Sequence, residues 1–301
     1  MPSRARLTGE LSPTLQFLGS WTFDPLLAGA LVLAGVGYLW GVRVAARRRP
    51  GPPWPARRTT SFLIGLALVW VVTLGPIGAY DDVFFWSHMA QHIVLMMVAA
   101  PLLMLGAPIL LALRASTRAF RRAWILPVLN GRVVAFLTHP VASWVIFAGV
   151  LMGTHFSPFY EFALEHPNVH NYLEHPLYLG AGILFYWPLL DGNPSRRKLP
   201  HVGRVLSMFL MMAPETMTGF FIYSAGHVLY PFYDSVARPF GPGPLRDQQW
   251  GGALMWGGSM VIDTVWIAVA ALAWYRHEER RAVRVDQRVA RELAVAGPGR
   301  S

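Results

Sequence analysis

SHMAQHIVLMMVAAPLLMLGAP, residues 87–108, is apolar enough for the middle of a bilayer, yet it opens with two histidines four residues apart, His88 and His92. Apolar runs of roughly 18 or more residues mark membrane-spanning helices. The chain contains seven such runs, near 25–43, 60–79, 88–113, 133–152, 172–190, 204–224 and 250–274. Its 301 residues are 54% hydrophobic and only 14% charged, with a mean hydropathy of +0.38, too apolar for a soluble domain of this length. The expected fold is therefore an all-α membrane protein, a seven-helix bundle over residues 25–275. An amino-terminal segment, 1–24, precedes it and an Arg-rich tail, 276–301, follows. The first twenty residues hold no compact apolar stretch with a small-residue cleavage site, so the first helix is expected to direct insertion itself.

Charge fixes the expected orientation. The net charge of +10 invites comparison with nucleic-acid binders, but the basic residues are distributed by segment. Residues 43–59, 114–132, 191–204 and the tail after 275 carry 22 of the 26 Lys and Arg. The alternate connections and the amino terminus hold only Arg4, Arg6, Arg238 and Arg246. By the positive-inside rule the amino terminus lies outside and the carboxyl terminus in the cytoplasm, a parity that seven spans satisfy. The excess reads as topology and as contact with anionic membrane lipids, with no nucleic-acid partner.

That orientation gathers the histidines. His88 and His92 open the third span at the outer surface, and His155 ends the fourth there. His166, His170 and His175 enter the fifth, and His227 lies in the last outer loop. His139, His201 and His277 fall toward the cytoplasm. The outer face also carries Asp81, Asp82, Glu161, Glu165, Glu174, Asp234 and Asp247. With no cysteine in the chain, disulfides and thiolate metal sites are excluded, which leaves imidazole, thioether and carboxylate as ligands. Imidazole suits copper, zinc, iron and nickel, and thioether adds a preference for Cu(I). Histidines at i, i+4 can chelate one ion from a single helix, and Met89, His92 and Met96 fall along one expected stripe. The competing reading is that histidine is tolerated at interfaces and methionine packs well in apolar helices.

Glu215 and Asp263 are the carboxylates expected deep within spans. Ionisable groups there normally face the bundle interior, as functional groups or as protonated acids bonded to a neighbouring helix. Both alternatives stay open.

The runs SHMAQHIVLMMVAAPLLMLGAP, THPVASWVIFAGVLMGTHFSPFYEFAL, YLEHPLYLGAGILFYWPLL and DQQWGGALMWGGS, in this order over roughly residues 80–275, resemble the multi-pass CtaG family of bacterial cytochrome c oxidase assembly factors. The single-span copper chaperone that shares the family's name is a different protein. The resemblance implies a multi-pass bacterial plasma-membrane protein that serves a subunit of a haem-copper oxidase, with copper delivery as the usual suggestion and no catalysis of its own. The matching positions are His88, His92, His139, His155, Tyr160, His175, Asp247 and Gln248, whereas Glu215 has no counterpart in the pattern. Combined with the outer histidines, this gives a definite expectation. His88, His92 and His155 or His175 hold copper, Met89 or Met96 favours Cu(I), and Asp247 fixes an imidazole tautomer from behind. Gln248, Tyr160 and His139 are expected as supporting residues. Two rival readings are a haem-binding membrane oxidoreductase with axial histidines and a metal-free scaffold for an oxidase subunit.

Overall fold

A computed structural model describes residues 12–48, 52–195 and 197–296. Arg4, Arg6, Arg49, Arg196 and Arg300, part of the charge pattern above, lie outside the described residues. Every regular element among the described residues is helical. The principal ones are α1 (Pro25–Arg48), α2 (Ala56–Leu74), α3 (Phe85–Ala115), α4 (Pro140–His155), α5 (His175–Tyr186), α6 (His201–Ser224) and α7 (Pro244–Ala296). Five of them, α1, α2, α3, α6 and α7, are long and apolar enough to cross a membrane. A sixth crossing is counted if α4 is joined to Phe159–Glu165, from which it is bent by 64°. The 172–190 run is represented by α5, whose 12 residues rise about 18 Å, less than the ~30 Å of a hydrocarbon core. A wide π-helical turn, His170–Glu174, leads into α5.

The third apolar run, α3, occupies the centre, with 61% of its most apolar window buried against 17% for α1. Its path is irregular for identifiable reasons. A π-helical turn spans Val94–Ala99, and Pro101 has no N–H to offer the carbonyl of Met97 four residues back. Trp266 of α7 fills that vacancy, its indole Nε1 donating to Met97 O at 2.8 Å. Pro108 likewise cannot donate to the carbonyl of Met104, which accepts instead from Ala107 N at 2.9 Å and from Asn193 Nδ2 at 2.8 Å. Lipid offers no hydrogen bonds, so such substitutes are what allow proline inside a span.

Close helix crossings use small residues, as membrane bundles do. At the α6–α7 crossing a Cβ added to Gly219 would stand 2.5 Å from Trp256 N and 2.8 Å from Gly252 O. Gly182 of α5 lies directly on the backbone of Met96 in α3.

The two ends of the bundle differ in chemistry. At one end Trp54 is flanked by the guanidinium groups of Arg58 and Arg114, Arg48 donates to Ala115 O, and Arg204 pairs with Asp191. At the other lie Asp81, His88, His155, His170 and the loop 225–243.

Candidate metal centre

Five histidines converge at that second end. His88 and His92 stand on successive turns of α3 with ring centroids 5.3 Å apart. His155, the last residue of α4, lies 5.0 Å from His92 and 5.9 Å from His88. Each of the three offers a nitrogen within 4.8 Å of the others', and none is more than 4% exposed. His175 does not join them. Its nitrogen groups with His170 and Asp81, likewise within 4.8 Å, and a third group of His88, His170 and Glu174 bridges the two.

The hydrogen bonds say which nitrogens are free. His155 Nδ1 donates to Leu151 O at 2.7 Å, leaving Nε2 with its lone pair directed inward. His155 Nε2, both nitrogens of His88, both of His175 and Nε2 of His170 are buried without a hydrogen-bond partner. Buried polar atoms are nearly always paired, and six orphans in one chamber call for an occupant. The donor set fits a borderline or soft ion, since His92 Nε2 also lies 2.9 Å from Met89 Sδ.

Aromatic and acidic side chains frame the chamber. The Tyr160 ring lies tilted 4.3 Å from His88, and its hydroxyl meets that of Tyr233 at 2.6 Å, which donates to Asp81 O. Tyr178 lies 5.2 Å from His92 and donates to Glu174 Oε1 at 3.0 Å. Glu174 Oε2 takes the Nδ1 proton of His170 at 2.6 Å. Asp81, in the loop after α2, accepts from Gln91 Nε2 at 2.8 Å and faces His170 Nε2 at 3.3 Å and His175 Nε2 at 3.6 Å. Burial alone would push the Asp81 carboxyl up. Contact with His170 and the charges of His170 and His175 outweigh it, and the carboxyl is held below its usual 3.8.

Several expected roles need correction. Asp247 touches no imidazole. It caps α3, accepting from Phe85 N at 2.8 Å and Trp86 N at 3.1 Å, and it pairs with Arg238 at 2.8 Å. Gln248 fastens the loop 225–243, through His227 O and Leu229 N. His139 caps the opposite end of α4, about 24 Å along the helix from His155. Met96 sits in the π-helical turn of α3, where the i, i+7 stripe expected of an unbroken α-helix does not hold. Tyr160 does line the chamber. Sequence reasoning left Asp81, His170, Glu174 and Tyr178 out of the site. The signal for two of them was present in HNYLEH: at about 4.4 residues per π-helical turn, His170 and Glu174 share a face with His175. Glu215 and Asp263 lie apart from the histidines, buried beside each other between α6 and α7.

Comparison with known proteins decides the family. The profile of the cytochrome c oxidase caa3 assembly factor family (Caa3_CtaG) matches residues 36–277. The chain belongs to that family. An uncharacterized protein of Mycobacterium leprae (strain TN) is 32% identical over 282 residues, and one of Mycobacterium bovis is 31% identical over 283. Each alignment takes in 91% of this chain but 42% of the relative, so the chain spans about two fifths of the length of the curated proteins it matches. No solved structure matches.

Proposed function

We propose that this member of the oxidase assembly family binds copper, as cargo, at His88, His92 and His155 on the extracytoplasmic side of a bacterial plasma membrane and passes it to a haem-copper oxidase subunit. The observation that carries the reading is the convergence of three buried imidazoles with His88 and His155 nitrogens lacking any partner. Met89 sulfur beside His92 tilts the set toward Cu(I). Transfer proceeds by ligand exchange, with no covalent catalysis. The chain's part is to hold the rings in place: Leu151 O fixes the His155 tautomer, and the Tyr160 and Tyr178 rings keep His88 and His92 from turning away. Haem is less well served, because those tyrosine rings occupy the space beside the histidines that a porphyrin would need.

The orientation belongs to the same proposal. Seven crossings, with α5 and its preceding turn supplying the 172–190 span, place the amino terminus outside and the basic end against anionic cytoplasmic lipid. Reporter fusions after residues 55, 125 and 198 then read cytoplasmic, and fusions after 83, 163 and 235 external.

The test of function is elemental analysis of the purified protein together with its optical spectrum, for wild type and a His88→Ala, His92→Ala double variant. Copper in the wild type and its loss in the variant, alongside loss of oxidase activity in cells, supports the reading. Copper and oxidase that both survive the change refute it. A Soret band transfers support to haem, and loss of oxidase in a protein that never holds metal transfers it to a scaffold.

A further inference from the structure

The three-histidine site is buried. Its residues are at most 4% exposed, and none of them lines the cavity of about 470 Å³ nearby, which opens beside Phe23 and Tyr172 and is walled by Asp24, Asp81, Asp82 and His170. We propose that Asp81, His170 and His175 form a second cation site at the base of that cavity, the port through which the metal reaches and leaves His88, His92 and His155. The inference rests on the copper reading above and adds a route and a stoichiometry to it.

The port's geometry argues for a bound cation. His170 Nδ1 donates to Glu174 Oε2 while its Nε2 stands 3.3 Å from Asp81 Oδ2, and His175 Nε2 faces the same oxygen at 3.6 Å. With the site empty a proton shared between Asp81 and an imidazole holds these groups together, and a metal ion can take that proton's place. Asp81 and Glu174 are both buried, and the ion-pair partners found for them are histidines alone. Two imidazoles and a carboxylate suit a borderline transition-metal ion, which includes copper. Glu174 behind His170 is the carboxylate–histidine arrangement that orients a ligating ring.

The route inward is one ligand exchange at a time. His88 stands 5.9 Å from His170 on one side and 5.9 Å from His155 on the other. His88, His170 and Glu174 also bring donor atoms within 4.8 Å of one another. An ion moving from the port to the inner site therefore meets an intermediate ligand set and never returns to water. The mouth has the polarity to collect a cation, since Asp24 and Asp82 join Asp81 in its wall.

The experiment is copper stoichiometry and release on the full chain in detergent, loaded with excess copper kept cuprous by ascorbate. Wild type is expected to hold two ions per chain, His155→Ala one and His175→Ala one. In Asp81→Asn the inner ion is expected to remain while its transfer to a strong Cu(I) chelator slows by about tenfold or more. His175→Gln, closer in shape, replaces His175→Ala if the smaller residue lowers the helical circular dichroism. One ion in the wild type, with release unchanged in Asp81→Asn and in His175→Gln, overturns the port and leaves the inner site standing. No copper in the wild type overturns the parent reading.

Discussion

Asp247→Asn separates holding the ligand helix in place from holding the metal. The buried carboxylate accepts three hydrogen bonds: Phe85 N and Arg238 Nη1 on Oδ2, each at 2.8 Å, and Trp86 N on Oδ1 at 3.1 Å. An asparagine keeps one acceptor oxygen and turns an NH2 group toward a donor. At least one buried N–H is then left unpaired, at about 1–3 kcal/mol. The anion at the start of α3 is also lost, worth roughly 0.3–1 kcal/mol against the helix dipole. Arg238 retains Tyr233 O at 3.2 Å and Pro242 O at 3.4 Å, which limits the damage on its side. The total is about 1–4 kcal/mol, a fall in melting temperature on the order of 2–7 °C for a chain of this size. Differential scanning fluorimetry in detergent reads the fall, and elemental analysis of the same sample reads the metal. Copper is expected to weaken only partially, because His88 and His92 lie one and two turns beyond the cap and keep their rings. A variant that melts within about 1 °C of wild type refutes the cap's importance. One that keeps its melting temperature and loses all copper makes Asp247 part of the metal sphere, contrary to the geometry.

Other perturbations probe the scaffold. Trp266→Phe removes the donor to Met97 O and should cost about 1–3 kcal/mol, read as a lower melting temperature, with copper content preserved. Gly219→Leu forces a side chain into the α6–α7 backbone contact and should abolish monodisperse protein on gel filtration, whereas Gly149→Ala, with nothing within 4 Å of the added carbon, should leave it unchanged. Glu215→Gln preserves a hydrogen-bonding partner for Asp263 and should melt near wild type, while Glu215→Leu leaves a buried carboxyl alone and should lose about 1–3 kcal/mol. Burial raises the Asp191 carboxyl, but hydrogen bonding and charge from Arg204 hold it below its usual 3.8. A carboxyl depressed in the folded state stabilises above its unfolded value and loses that contribution as pH falls through the folded one. The Asp191→Asn difference should thus be constant from pH 7 to 5, begin to fall as the pH approaches the unfolded value near 3.8, vanish only below the lower folded value, and stay under about 1 kcal/mol because Asp191 is exposed.

What could be read from the sequence follows the range of the interactions involved. Apolar length and basic loops are local, and they mark six of the seven expected runs as long helices or, for α4, as half of a bent pair. The fifth run is marginal because polar residues 166–175 intrude on it and its apolar part is only α5. The gathering of histidines at one end of the bundle was legible through loop charge, and His88, His92 and His155 do meet. His175 separates from them, and Asp81, His170 and Glu174 enter, because π-helical turns at 94–99 and 170–174 alter the 3.6-residue spacing on which the expected stripes rest. Asp247 was misassigned for another reason. Its partners Phe85 and Trp86 lie more than 160 residues away, and a cap across that distance leaves no mark in either segment.

Of the four π-helical turns among the described residues, at Val94–Ala99, Arg121–Ile125, His170–Glu174 and Leu254–Gly258, the one in α3 and the one before α5 flank the chamber itself, and such turns tend to mark functional sites. In α3 the turn follows His92 directly and is secured by Trp266, so the helix can present His88 and His92 inward without carrying the same face down through the membrane. Before α5 the turn brings His170, Glu174 and His175 to one side, which an α-helix would spread apart. A helix built only for packing would avoid both the unpaired imidazoles and the irregular turns. Their coincidence at one end of the bundle makes a ligand-binding chamber a better account of residues 87–108 than an interfacial accident.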